Sequence, residues 1–398
     1  MMNLLSDEIS AMAANSSWIR KMFEEGIELK KKYGEDNVYD FSLGNPDMPA
    51  PAVVGDALRK IADDADKPFA FGYMPNAGYA ETRSVLAKLV SREQGVPVSG
   101  DRIVVTCGAA GGLNVFFRAV LNPGDEVVCP APYFVEYTFY AGNFGGKLVP
   151  VRSKEDFSLN LEEIEKAITE KTRAFLINSP NNPTGVIYTP TDVAELSELL
   201  RRKSAEYGRT IYLIADEPYR FLNFDNVTIP SVFRHYRDSV VIGSFSKSLS
   251  LAGERIGYIA ISPEIEGAKT LTGGLAMTNR ILGFVNAPAI AQRILNAASE
   301  SQADLEAYRK RRNMMAKVLD YAGIEYNMPR GAFYFFPKSP VPDESLFIQA
   351  LLNERVLAVP GRGFGMEGYV RLAFCVPEKT ITGSAEAFKR AAASLKKD

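Results

Sequence analysis

From about residue 100 the chain repeats short apolar runs with helical-period segments between them, and few folds satisfy that pattern. The runs are Ile103 to Thr106, Glu126 to Cys129, Lys147 to Val151, Ala174 to Asn178, Ile211 to Ala215, Val240 to Phe245 and Tyr258 to Ile261. Segments such as Gly111 to Val120, Leu161 to Ile168 and Thr191 to Tyr207 carry helical spacing. Together they predict an α/β fold: a large domain with a mainly parallel seven-stranded sheet covered on both faces by helices. After about residue 300 the pattern changes to a long helix from about Ser301 to Ala322, short strands near Phe333, Val356 and Tyr369, and a last helix. This predicts a smaller α+β domain. The first forty or so residues cannot bury a core of their own and must dock elsewhere, so the smaller domain is expected to use both termini. The expected boundaries are 1–47 for an amino-terminal arm and part of the small domain, 48–288 for the large domain and 289–398 for the small one.

Composition narrows the function. The 398 residues are 46% hydrophobic and 24% charged with a net charge of -2, so bulk electrostatics attract neither nucleic acid nor an anionic membrane. No stretch approaches the ~18 uncharged apolar residues of a membrane span, and the amino terminus lacks a signal-like apolar core. Cys107, Cys129 and Cys375 are scattered, which fits reduced thiols in a cytoplasmic setting. The one histidine, His235, leaves little material for a metal cluster or a Ser/His/Asp triad, and no metal is expected.

Several motifs fall at the ends of predicted strands. Lys247, in Ser244-Phe245-Ser246-Lys247-Ser248, emerges from an apolar run. There it is either part of a surface turn or an amine whose partial desolvation makes it nucleophilic. Ser244 and Arg255 are suited to hold one phosphate group, each charge-assisted bond contributing about 1.5–3 kcal/mol. The turn Gly108-Ala109-Ala110 runs straight into a helix, where bare amides and the helix dipole favour an anion. Asp216 closes the run Ile211 to Ala215; it either caps a following helix or faces a ligand beyond the strand ends. Facing a ring nitrogen at ~4 Å, its charge would contribute about 4 kcal/mol, some three pKa units. Asn178-Ser179-Pro180-Asn181-Asn182-Pro183-Thr184-Gly185 demands a fixed turn and brings Asn182 to the same edge. The cluster Gly361 to Gly365 reads as a simple turn.

The order of these motifs, from Gly44-Asn45-Pro46-Asp47 to Arg371, resembles the class I/II aminotransferases of the pyridoxal-phosphate fold type I family. The resemblance implies a pyridoxal 5'-phosphate enzyme that moves an amino group between an L-amino acid and a 2-oxo acid by ping-pong exchange. It further implies that Lys247 carries the cofactor as a Schiff base and then shuttles a proton between the substrate Cα and the cofactor. Asp216 would pair with the pyridine nitrogen, and Asn182 and Tyr219 with the phenolic oxygen. Ser244, Arg255 and the amides of Gly108, Ala109 and Ala110 would hold the phosphate, and Phe134 would pack on the ring. Arg371 would fork onto the substrate α-carboxylate, near Gly44 and Asn182. Tyr73 matches a tyrosine that reaches the neighbouring subunit's phosphate, which implies a homodimer with shared active sites.

Two departures bear on substrate. Ala110 occupies the position where some bacterial aspartate-type relatives carry a lysine for a side-chain carboxylate, and Phe134 replaces their tryptophan. Both weaken an aspartate-specific reading. The aromatic stretches Phe134 to Tyr140 and Phe333 to Phe336 suit either a bulky apolar substrate or the core. Three alternatives stand beside transamination: a pyridoxal-phosphate-dependent C–S β-lyase on the same fold, a non-catalytic cofactor-binding regulator, and a nucleotide-binding α/β enzyme. The regulator would need an added basic DNA-binding region, which is not expected in the forty-residue acidic-to-neutral amino terminus. The nucleotide enzyme would need fingerprints that are missing.

Overall fold

The computed structural model describes residues 4–14 and 18–395. They form two compact units, one comprising the chain up to Gly44, Tyr308–Pro329 and Phe333 onward, the other Asn45–Ala307 with Arg330–Ala332. The described strands are β1 (Tyr39–Asp40), β2 (Ile103–Thr106), β3 (Glu126–Ala131), β4 (Lys147–Arg152), β5 (Thr172–Asn178) and β6 (Tyr212–Asp216). They continue with β7 (Ser239–Ser244), β8 (Gly257–Ile261), β9 (Tyr334–Phe335), β10 (Val356–Leu357), β11 (Val359–Pro360) and β12 (Val370–Ala373).

The larger unit is built on the seven strands β2 to β8, in the order β2-β8-β7-β6-β5-β3-β4. Neighbours are parallel except at β8, which is antiparallel to both β7 and β2. The expected runs coincide with these strands to within two residues, because strands covered on both faces are apolar throughout. Alternation then sorts their side chains into two layers. Leu213, Ala215 and Val241 pack into one core with the helices Ala52–Asp63, Ala80–Gln94 and Pro190–Glu206. Ile214, Val240 and Ile242 pack into the other with the helices Gly108–Val120 and Ala268–Ile281. Each buried Val, Leu or Ile contributes about 1.5–3 kcal/mol.

Helix boundaries follow local chemistry. The helix Pro190–Glu206 starts where Thr189 and Asp192 form a reciprocal capping box with Pro190 in the first turn. The long helix begins at Leu305 rather than near Ser301, since Asp304 Oδ1 accepts the Ala307 amide. After Asp216 the chain enters a turn, so that residue caps no helix.

In the smaller unit β1 pairs parallel with β10, and β11, β12 and β9 form an antiparallel sheet. The amino-terminal segment thus closes onto carboxyl-terminal residues. Phe333, Phe335 and Phe336 are buried there, with Phe335 against Phe374 at 5.5 Å between ring centres. This aromatic stretch is core. Gly361–Phe364 forms a single 3-10 turn. Among the described residues no helix is long and apolar enough to cross a membrane.

Candidate active site

The carboxyl ends of the parallel strands and the amino end of antiparallel β8 meet along one edge of the sheet. Gly257 explains how. It pairs in register with Ser244 of β7 on one side and Thr106 of β2 on the other. A Cβ at Gly257 would lie 2.6 Å from the Gly108 carbonyl carbon and 2.9 Å from the Ala109 amide nitrogen. Only glycine lets β8 approach the first turn of the helix Gly108–Val120 this closely. Because β8 runs backwards, Arg255, two residues before Gly257, arrives at this edge instead of the far one.

Arg255 adopts a left-handed backbone (φ 52°), a conformation that costs a non-glycine residue on the order of 1–3 kcal/mol. Its Nη1 donates to the Ala252 carbonyl at 2.8 Å. Its Nη2 lies where a Cβ on Gly108 would stand only 2.7 Å away. A guanidinium therefore sits against bare helix amides beside the half-buried Ser244, a combination suited to a phosphate dianion. The nearby guanidinium opposes burial in setting the Cys107 thiol, which stays above its ordinary pKa.

Lys247 lies in the turn that follows β7. Phe245 and Leu249 bury their side chains and anchor the turn, with the Leu249 and Leu251 amides both donating to the Phe245 carbonyl at 3.3 Å. Lys247 itself is half-buried.

Asp216 ends β6 and is 5% exposed. Tyr137 donates its hydroxyl to Oδ2 at 2.5 Å, while Oδ1 is buried with no hydrogen-bond partner. Burial pushes the carboxyl up to about 7; the Tyr137 hydrogen bond opposes this, and Glu217 adds to it. A buried acceptor left open costs about 1–3 kcal/mol, so Asp216 is poor packing and a good ligand for a cationic N–H. Asn178, in register with Asp216 on β5, donates to the Asp216 carbonyl at 2.9 Å and accepts the Asn182 amide at 2.7 Å. It ties the Asn182 loop to the acid. Asn181 fixes the same loop through the amide and hydroxyl of Thr184, at 3.0 and 2.8 Å.

Tyr219 and Asn182 are buried, and Phe134 is half-buried, its ring perpendicular to Tyr137 at 5.6 Å. Ala109 and Ala110 lie in the first turn of their helix. Tyr73 is 92% exposed in the single chain. Arg371 and Gly44 belong to the smaller unit. There Arg371 is 2% exposed and stacked between Tyr334 and Phe364, with its guanidinium carbon 4.7 and 4.8 Å from the ring centres. Its Nη2 donates to the Ser42 carbonyl at 2.5 Å. A side chain on Gly44 would collide with the Tyr334 hydroxyl.

Sequence reasoning missed Tyr137 and Asn178. Asn178 was visible as the last residue of a predicted strand at the head of the Asn/Pro turn. Tyr137 carried only its spacing, one helical turn after Phe134. The open oxygen on Asp216, the guanidinium at the helix terminus and the half-buried amine fit a phosphate-bearing pyridine aldehyde. Pyridoxal phosphate is such a group, and the residues present suit it.

Comparison with known proteins agrees. The family model for aminotransferase class I and II matches residues 36–388. The aspartate aminotransferase of Bacillus subtilis is 33% identical over 377 residues, covering 90% of this chain and 92% of that protein. A probable aspartate/prephenate aminotransferase of Aquifex aeolicus is 31% identical over 380 residues, covering 92% and 93%. The crystal structure of an amino transferase from Eubacterium rectale superposes with a TM-score of 0.95 at 36% identity, covering 99% of this chain and all of that one.

Proposed function

This chain belongs to the class I and II aminotransferases, fold type I enzymes that use pyridoxal phosphate, and from that premise we propose which of its residues carry the reaction. The reaction is the exchange of an amino group between an L-amino acid and a 2-oxo acid by a ping-pong mechanism. When bound, pyridoxal phosphate supplies an electron sink for the charge that develops at the substrate α-carbon.

The protein's own residues supply the rest. Lys247 Nζ holds the cofactor and takes and returns the α-proton; a half-buried amine on a braced turn supports that role. Asp216 offers Oδ1 to the ring nitrogen and favours its protonated form. Asn182 and Tyr219 serve the phenolic oxygen, and Phe134 packs against the ring. Ser244, Arg255 and the amides of Gly108, Ala109 and Ala110 bind the phosphate. Arg371, with Gly44 and Asn182, receives the substrate α-carboxylate, its planar guanidinium held in one orientation by Tyr334 and Phe364 so that little order is lost on binding.

The exposure of Tyr73, with Phe69 at 92% and Phe71 at 50% beside it, supports a homodimer in which this segment covers, and Tyr73 reaches into, the neighbouring subunit. Three free cysteines suit a cytoplasmic protein. Relatives are named for aspartate and prephenate. Ala110 and Phe134 argue against strict aspartate specificity here, and we keep the substrate class to L-amino acids with a free α-carboxylate.

The single observation that carries the site assignment is the open, buried Oδ1 of Asp216 at the edge that also receives Lys247 and Arg255. Purified protein is expected to absorb in the visible, to lose that band on stoichiometric addition of an amino donor and to regain it with a 2-oxo acid. A colourless protein that gains no absorbance with pyridoxal phosphate overturns the reading.

A further inference from the structure

Asp216 poses a problem that its strand does not solve. A carboxyl this deeply buried drifts toward its neutral form, and a neutral acid would offer a proton where the site needs an acceptor. We propose that Tyr137 is the positioning residue for Asp216: its hydroxyl fixes the carboxylate through Oδ2, favours its ionised form and leaves Oδ1 as the one oxygen open to a ligand. The proposal deepens the functional reading above and rests on its assignment of Asp216.

The geometry is specific. Tyr137 is 1% exposed, and its hydroxyl stands 2.5 Å from Oδ2, within the range of a charge-assisted O–H···O⁻ bond. Burial and the neighbouring negative charge both oppose ionisation of the phenol, so the proton stays on Tyr137 and the hydroxyl donates. Asn178 does the complementary work. It holds the Asp216 backbone carbonyl at 2.9 Å but lies 3.5 Å from Oδ2, too far to orient the side chain alone. Of the two, Tyr137 makes the far shorter bond to the carboxylate itself.

The source of Tyr137 matters as much as its contact. Its amide donates to the Phe134 carbonyl at 3.0 Å, so residues 134 to 137 form one turn leading into the helix Glu136–Gly142. The two rings pack edge to face. A single turn therefore carries the aromatic assigned to the cofactor ring and the hydroxyl that sets the acid facing that ring. Other titratable groups near this pair are Glu217 and Tyr219 on the segment of Asp216 itself, Cys129 on β3 and Tyr140 on the helix of Tyr137. Of these, Glu217 works against ionisation of Asp216, and the Tyr137 hydrogen bond opposes it.

The test is a carboxyl-¹³C NMR titration of the cofactor-free protein, with the Asp216 signal assigned by its loss in Asp216→Asn. Tyr137→Phe should raise the midpoint by about one to two pH units, the equivalent of one charge-assisted hydrogen bond. Replacing Tyr137 by 3-fluorotyrosine, a stronger donor that keeps the ring, should move it down. Tyr137→Phe should also weaken uptake of pyridoxal phosphate by about tenfold or more, on the same scale. An unmoved midpoint in the fluorotyrosine protein, or in Tyr137→Phe despite a lower Tm, means that Tyr137 only packs; the proposal then fails while the assigned function stands. If wild-type protein takes up no pyridoxal phosphate, the functional reading fails first and the proposal with it.

Discussion

Asp216 and Glu217 are consecutive residues at the end of one strand, and they meet burial in opposite ways. Asp216 faces the layer of Tyr137 and keeps one oxygen without a partner. Glu217 turns to the other layer, where Oε1 accepts from Arg220 at 2.9 Å and Oε2 from Gln94 at 3.3 Å. Arg220 also donates to the Glu93 carbonyl at 2.8 Å, tying the cluster to the helix Ala80–Gln94. Burial pushes both acids above their ordinary pKa, but only Glu217 has a cation opposing the push. The pair separates two uses of a buried carboxylate. One is spent on structure, with every oxygen satisfied, and the other is held at a cost in stability for something that arrives later.

That contrast predicts opposite phenotypes on the two sides of β6. The largest effect belongs to Lys247, on the Asp216 side: Lys247→Ala should lower turnover by at least ~10³-fold while the folded protein still binds pyridoxal phosphate noncovalently. Steady-state kinetics and a thermal melt check the two halves of this statement. Asp216→Asn should follow, with kcat/KM reduced by about 10³-fold, the equivalent of the ~4 kcal/mol expected for a charge ~4 Å from the ring nitrogen. The cofactor-free Asp216→Asn protein should be no less stable than wild type. A large fall in Tm together with near-normal kcat/KM would make Asp216 the structural acid and break the comparison.

Arg220→Met should show the reverse. Removing one partner of a buried ion pair costs about 3–5 kcal/mol, so denaturant midpoints should fall sharply while kcat per folded molecule changes little. The double variant Arg220→Met with Glu217→Met should recover part of that loss, since it removes the acid bonded to Arg220 and leaves only Glu93 without that cation. Failure to recover would mean that the cluster does more than fill space.

How much of this was legible in the sequence depends on the range of the physics involved. The seven central strands could be read because burial on both faces writes a continuous apolar run, and their ends located Lys247, Asp216, Asn182 and Ser244. Their assembly could not be read. Tyr137 and Asp216 are 79 residues apart and meet only through the order of strands in the sheet. Gln94 and Glu217, 123 residues apart, meet for the same reason. The run Tyr258 to Ile261 gave no sign that its strand would be reversed, yet that reversal brings Arg255 to the functional edge. The aromatic stretch at 333–336 was ambiguous from composition and became core once β9 paired with β12.

The smallest expected effect tests the comparison through pH. Asp216 has a folded pKa near 7 against an ordinary value of 3.8, so between these values the folded cofactor-free protein holds a proton that the unfolded chain has lost. Its contribution to stability is therefore present in full below about pH 4 and is lost as pH rises through about 7. For one proton the slope is at most ~1.4 kcal/mol per pH unit. Glu217 is shifted in the same direction, but its pairing with Arg220 reduces its share. Glu93 is also pushed up to about 7 by burial, so denaturant unfolding of cofactor-free protein at pH 5, 6, 7 and 8 should show a falling stability whose slope Asp216→Asn reduces and Glu93 partly retains. Glu217→Gln should lower the whole curve and leave most of its slope. If the slope follows Glu217 instead, the acid that waits for a ligand has been placed on the wrong side of the strand.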